Sequence, residues 1–195
     1  MPRLKPLTEQ EVKDKGIDLS FVGSDFHELP NSIPTLAYCP EILQAVGGVW
    51  QAVMGPGTVD RGLKWLVGYL ASMSAGCKYC SAHTATGANT SGVPAEKVEA
   101  VWEYETSAMF SEAERAALRM AQCAGQAPNA VTDEDFDALK QHFSAEQIVE
   151  LVSVVAIYGF FNRFNDTMAT ELEATPRQFA EGHLKDHGWH IGHHG

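Results

Sequence analysis

Apolar positions along the chain recur three and four residues apart, and this helical period is the first signal the sequence offers. Leu63, Leu66, Val67, Leu70 and Met73 share one face of a helix that Thr58 can cap and that should end near Ala75-Gly76. Before it, Pro40 sits where a helix tolerates proline best, in the first turn, and Gly55-Pro56-Gly57 stops that helix near Met54. Beyond Gly76 the pattern predicts a helix that begins at the cysteines and runs to about Asn89, a turn over Asn89-Thr90-Ser91-Gly92, and a further helix opened by Pro94. Ser111 with Glu114 and Ser144 with Gln147 match the capping box, in which a hydroxyl and the side chain three residues on satisfy each other's backbone amides. Thr132-Asp133-Glu134-Asp135 puts three acids in a first turn, where the helix dipole favours them. Strict alternation is confined to short fragments, so the predicted fold class is all-α.

The stretch from Ile148 to Phe161 is almost continuously apolar, broken mainly by Glu150, Ser153 and Gly159, and is predicted to be the most buried helix. Glu150 reads either as a first-turn residue near solvent or as a paired or functional carboxylate. Two apolar segments each lead into a polar pair: Leu66 to Gly76 into Cys77 and Cys80, and Leu151 to Phe161 into Asn162 and Asn165. The match suggests a duplicated helix-turn-helix unit, or two buried helices that happen to break alike.

At 195 residues and 45% hydrophobic, the chain suits one domain over residues 1–182, followed by a His- and Gly-rich tail over 183–195. Histidines 183, 187, 190, 193 and 194 can bind nickel or zinc but match no closed structural metal site, so the tail is expected to be an adventitious binder or merely solvated, with Trp189 able to dock it. Twenty-five acidic against fourteen basic residues give a formal charge of −11, which repels nucleic-acid phosphates and anionic lipids. No nucleic-acid partner is expected, and no membrane either, since no uninterrupted apolar run approaches about 18 residues. Four cysteines are too few for a secreted disulfide scaffold and fit a reducing cytoplasm. Cys39 and Cys123 stand alone and read as buried structural thiols, while His27 and His142 read as surface or helix-end residues.

Chemistry concentrates in Gly76-Cys77-Lys78-Tyr79-Cys80-Ser81-Ala82-His83. Two thiols three residues apart can close and reopen a disulfide. At about 100° per residue, Cys77 and Cys80 lie roughly 60° apart on a helix and His83 about 60° beyond Cys80, so His83 is better placed for Cys80 than for Cys77. A thiol of ordinary pKa, about 8.5, is only about 3% ionised at pH 7, and a helix N-terminus, Lys78 or His83 could lower that value. A zinc site built on Cys77, Cys80 and His83 is the competing reading, although tetrahedral closure needs a fourth ligand and there is no second C-x-x-C.

Gly68-Tyr69-Leu70-Ala71-Ser72 leading into Ala75 to Ala85, together with Gly159-Phe160-Phe161-Asn162-Arg163-Phe164-Asn165-Asp166, resembles the alkylhydroperoxidase D-like (AhpD-like) members of the carboxymuconolactone decarboxylase superfamily, over residues 30 to 175. The resemblance implies an all-helical fold with an internal repeat, a homo-oligomer, and reduction of a small hydroperoxide without a cofactor. It further implies that Cys80 attacks the peroxide, that Cys77 resolves it as a disulfide, and that an external dithiol resets the pair. The superfamily also contains decarboxylase-type lyases, which lack the C-x-x-C. Two departures stand out. The relay glutamate expected twelve residues before the first cysteine is Trp65, and the histidine follows the second cysteine by three residues instead of four. Glu150, at the corresponding place in the second unit, and Asp166 with Asn165, directly after the polar pair, are the candidates to supply the missing proton relay.

Overall fold

The computed structural model describes residues 1–22 and 28–195, which leaves His27 outside the described residues. These residues form helices, turns and loops, with no strand among them. In chain order the helices are α1 (Glu9–Asp14), α2 (Ser32–Leu36), α3 (Pro40–Met54), α4 (Arg61–Ser74), α5 (Lys78–Thr90), α6 (Ala95–Glu99), α7 (Glu112–Ala124), α8 (Asp133–His142), α9 (Ala145–Met168) and α10 (Ala174–His183). The fold is all-α, as the period of the sequence predicts.

Helix starts follow local side-chain chemistry. Ser111 with Glu114, Thr132 with Asp135, and Ser144 with Gln147 form reciprocal capping boxes at α7, α8 and α9. The cap of α4 is Asp60, whose Oδ1 accepts the Leu63 N–H at 3.0 Å, and not Thr58. Thr58 has other work: its N–H and its hydroxyl both donate to Glu150 Oε1 at 2.7 Å. Between α4 and α5 the chain reverses through Gly76 at φ +83°, a left-handed conformation that glycine adopts without strain.

Helix α4, and not α9, is the most buried: every residue from Gly62 to Ser72 is withdrawn from solvent, because α4 packs on α5, α7 and α9 together. Helix α9 buries Leu151, Val154, Val155 and Tyr158 but leaves Val149 65% and Val152 42% exposed, with Phe160 also on the surface. The uniform apolarity of this segment hid the fact that only one face has a partner. Among the described residues it is also the one helix long and apolar enough to cross a membrane by length and composition; here its inner face is the packing surface of the bundle. It runs unbroken through Asn162 and Asn165, so the second apolar segment has no turn where α4 gives way to α5.

Glu150 meets the core at a buried lysine. Lys64 on α4 is buried and donates to Val53 O at 2.9 Å, Gly55 O at 3.2 Å and Glu150 Oε2 at 2.7 Å. A Cβ at Gly57 would run into the Glu150 carboxylate, so the loop approaches this pair closely only because that residue is glycine. Burial alone would raise the Glu150 carboxyl; Lys64 and the two Thr58 donors outweigh it and hold the value at about 2.

The C-terminal segment is not a solvated tail. Leu184 and Trp189 are buried, the Trp189 indole N–H donates to Lys78 O at 3.1 Å, and the Leu172 N–H donates to His194 O at 2.8 Å. The apolar anchors Leu184 and Trp189 outweigh the polar composition around them. The isolated cysteines also differ from expectation: Cys39, at the cap of α3, is exposed and Cys123 is half-buried. His142 lies in the last turn of α8.

Candidate active site

Cys77 is the N-cap of α5, and its Sγ accepts the Cys80 N–H at 3.3 Å. That capping bond is what holds the two sulfurs of the C-x-x-C on the same side of the helix start. Both thiols are free and buried. Across from them, Asn165 on α9 donates its Nδ2–H to Cys80 Sγ at 3.5 Å, and its Oδ1 is fixed by the Thr170 hydroxyl at 2.9 Å. The Thr170 bond sets the amide orientation, so the donor end faces the sulfur.

Burial pushes the Cys80 thiol well above its ordinary value, with the neighbouring Cys77 sulfur adding to the effect and the Asn165 N–H opposing it. This reverses the expectation of a thiol ionised by the helix start, Lys78 and His83. Desolvation is the stronger influence on a sulfur sealed inside the bundle. In the resting site this favours the thiol form of Cys80.

Spacing singled out His83 beside Cys80 but not the carboxylate that holds its ring. His83 Nε2 lies 2.6 Å from Glu173 Oε2. Glu173 stands at the N-cap of α10, is only 6% exposed, and its other oxygen accepts the Tyr79 hydroxyl at 2.7 Å and the Asn31 N–H. Burial would raise this carboxyl, but His83 and the Asn31 and Tyr79 donors overcome it and keep the group below the ordinary carboxylate value. Glu173 therefore stays an anion with three partners, a preorganised orienting group for the imidazole.

Glu150 is not part of this site. It lies fifteen residues before Asn165 on the same unbroken helix, about 22 Å along the axis at 1.5 Å per residue. Its carboxylate is committed to Lys64 and Thr58 there. Trp65, in the expected relay slot, packs edge-on against Trp50 at 5.8 Å between ring centroids and lies against α5 at Gly87. The slot is filled by core packing, and the carboxylate enters from α10 instead.

Asp166 faces the other cysteine. Its Oδ1 lies 3.1 Å from His193 Nε2 and 3.6 Å from His194 Nε2, and Asp166, His194 and Cys77 bring their ligand-type atoms within 4.8 Å of one another. Cys77, Cys80 and His83 do not converge as a metal trio, because His83 turns its Nε2 to Glu173. Among the described residues the convergent metal-capable set is Cys77, Asp166 and His194. His194 is wholly buried, and burial lowers its pKa, with the Thr170 carbonyl and Asp166 opposing.

Cys80 and His83 open onto a cavity of about 60 Å³. Its walls include Ile33, Leu36, Trp50, Tyr158 and Phe161, so the space is largely apolar and aromatic, with the sulfur, the imidazole, Asn165 and Ser32 among its polar lining. The cavity suits a small apolar molecule carrying one reactive atom.

Comparison with known proteins agrees with this architecture. The profile of the Carboxymuconolactone decarboxylase family matches residues 40–122. The debrominase Bmp8 in its apo form is 32% identical over 90% of this chain and 95% of its own, with a TM-score of 0.84. Its cysteine-to-alanine variant in complex with 2,3,4-tribromopyrrole gives 31% identity, coverage of 92% and 96%, and a TM-score of 0.86. An AhpD-core, peroxidase-related protein from Ralstonia eutropha JMP134 shares the fold at 20% identity, with coverage of 92% and 95% and a TM-score of 0.75. The uncharacterized protein YnjA of Escherichia coli (strain K12) is 30% identical over 92 residues, 47% of this chain, and the match spans half of that relative's length. Cys77, Cys80 and His83 lie within the stretch that the family profile matches, and Asn165, Asp166, Glu173 and His194 lie beyond it. The chain belongs to the carboxymuconolactone decarboxylase superfamily and has the AhpD-like fold.

Proposed function

We propose that the protein is a dithiol-dependent reductase of small apolar hydroperoxides. The observation that carries this reading is the seating of Cys80 at an apolar cavity, with the Asn165 donor on its sulfur and the His83–Glu173 pair on the same wall. His83, oriented through Nε2 by Glu173, takes the Cys80 proton through its other ring nitrogen. The thiolate attacks the distal peroxide oxygen, the O–O bond breaks, and the departing alkoxide receives the proton as an alcohol. Cys80 is left as a sulfenic acid. The Cys77 thiolate then attacks the Cys80 sulfur, hydroxide leaves as water, and a disulfide forms. An external dithiol returns both cysteines to thiols.

A second reading is supported by the aromatic wall and by the 32% identity across 95% of the debrominase chain. In it the electrophilic atom is a ring bromine: Cys80 accepts the halogen, the ring carbon accepts a proton, and Cys77 displaces bromide as the disulfide closes. Both readings use the same two electrons and the same residues. Offering the reduced protein one equivalent of cumene hydroperoxide or of 2,3,4-tribromopyrrole, with thiols counted by mass spectrometry, separates them. We expect two of the four thiols to be lost in the wild type, a trapped sulfenic acid in Cys77→Ser, and no loss in Cys80→Ser. Bromide release assigns the halogen reading; equal peroxide consumption by wild type and both variants would remove the thiol mechanism.

The same reading includes self-association. Val149, Val152 and Phe160 on α9 and Ile42 and Val49 on the packed neighbour α3 give exposed apolar side chains on adjacent helices, and we place the contact with a second copy there. Sedimentation of the wild type should show an oligomer that Val149→Glu/Val152→Glu dissociates. A wild type that sediments as a monomer would refute this placement.

A further inference from the structure

His194 is buried with one nitrogen tied and the other aimed at two Lewis bases. Its Nδ1 lies 2.7 Å from the Thr170 carbonyl oxygen, which can only accept, so Nδ1 carries the ring proton. In the neutral imidazole Nε2 is then a bare lone pair. It is buried, has no hydrogen-bond partner among the described residues, and stands 3.6 Å from Asp166 Oδ1. Cys77 Sγ completes a triangle whose corners are all within 4.8 Å of one another. An imidazole nitrogen, a carboxylate oxygen and a sulfur converge here, with the exposed His193 Nε2 3.1 Å from the same Asp166 oxygen, and a cation in place of the thiol proton would be shared by all three ligand atoms.

We propose that Cys77, Asp166 and His194 form a binding site for a thiophilic divalent cation of the zinc class. The donor set fits such an ion: thiolate and imidazole favour zinc over magnesium or calcium, and three protein ligands with one open position make a common zinc arrangement. The Nδ1–H bond to the Thr170 carbonyl is the outer contact that orients a metal-binding histidine. Zinc–ligand bonds of about 2.0–2.3 Å place tetrahedral ligand atoms roughly 3.3–3.8 Å apart, so no edge of the triangle needs to tighten by more than about 1.5 Å, and the His194–Asp166 edge at 3.6 Å already fits. Asp166 is half exposed and gives the ion a path from solvent, while the cysteine and histidine lie inside.

The consequence reaches the redox pair. A cation bound to the Cys77 thiolate occupies the lone pairs that would attack an oxidised Cys80, so metal occupancy and the Cys77–Cys80 disulfide exclude each other. Zinc release would accompany oxidation of the pair. Coordination itself does not depend on the proposed reductase activity, which allows the two to be tested apart.

The test is anaerobic titration of the reduced full chain with Co²⁺. Equimolar saturation with a thiolate-to-cobalt charge-transfer band is expected, and so is its displacement by Zn²⁺. Cys77→Ser and His194→Ala should lose the band. Cys80→Ser, His83→Ala and a variant with His187, His190 and His193 all changed to Ala should keep it. Because His194 is buried, Asp166→Asn on the surface provides a second variant, expected to weaken Co²⁺ binding about tenfold or more with an unchanged thermal melt. A band that survives His194→Ala, or disappears in Cys80→Ser, would overturn the assignment. Cobalt binding that has no charge-transfer band and vanishes with the three exposed histidines would also overturn it, as chelation by the histidine-rich segment alone.

Discussion

Glu173→Gln is expected to lower kcat/KM for the preferred electrophile by about 10²- to 10⁴-fold, the range for loss of a positioned proton-transfer group or its orienting partner. Glutamine keeps the shape of the side chain but not its acceptor symmetry. The Asn31 N–H and the Tyr79 hydroxyl both donate to one carboxylate oxygen, so the amide oxygen of the variant must serve them. Its NH₂ then faces His83 Nε2, which has to become an acceptor, and the ring proton moves to the nitrogen that should receive the Cys80 proton. Because burial keeps Cys80 protonated at rest, the wrong tautomer blocks the first step and leaves later disulfide exchange untouched. Single-turnover oxidation of reduced protein should therefore slow as much as steady-state turnover does. A purely structural role would instead appear as a lowered melting temperature with kcat preserved, and oxidation rates within twofold of wild type would sink the proton-relay assignment.

The distance in sequence explains why Glu173 escaped detection while the cysteines did not. Cys77, Cys80 and His83 share two turns of one helix, and their relation follows from helical geometry. His83 and Glu173 are ninety residues apart and meet only because α10 packs on α5. Glu173 caps α10 without a capping bond of its own, in a sequence, Glu171-Leu172-Glu173, that reads as a polar link. Capping chemistry is local, which is why the starts of α3, α7, α8 and α9 could be read directly from Pro40, Ser111, Thr132 and Ser144. Where two hydroxyl or carboxyl residues competed, as Thr58 and Asp60 did, the choice was tertiary: Glu150 arrived from α9 and claimed Thr58.

Composition misled where a few residues outweigh the rest. The last thirteen residues hold five histidines and three glycines, yet Leu184 and Trp189 seat the segment and carry His194 to the back of the cysteine pair. Trp65 was legible as a departure from the family pattern, but its reason was not. It belongs to an aromatic cluster with Trp50 and Tyr158, and the carboxylate beside His83 is Glu173, brought in from α10.

Glu150→Gln should destabilise the fold strongly and leave turnover at 25 °C unchanged. The variant removes the only anion facing the buried Lys64 ammonium in its described ion pair, whose other two contacts are carbonyls. Stranding such a charge costs about 3–5 kcal/mol, and an amide oxygen that can still accept from Lys64 puts the loss near the lower figure. For a chain of this size that is roughly a 6–12 °C fall in Tm. Lys64→Met/Glu150→Gln should recover much of it, since an apolar side chain of similar length no longer needs an anion. The pH dependence has a defined sign. The folded carboxyl is held at about 2, below its ordinary value of 4.5, so its contribution is complete above that ordinary value and is lost as pH falls toward 2. The stability difference between wild type and Glu150→Gln should therefore be constant from neutral pH down to about 5 and shrink below it. Thermal melts across this range, paired with the turnover assay, decide the matter. A variant that melts with the wild type at pH 7 would show that Lys64 is adequately solvated by its carbonyls, and a variant that melts normally but loses turnover would return Glu150 to the proton pathway despite the length of helix between them.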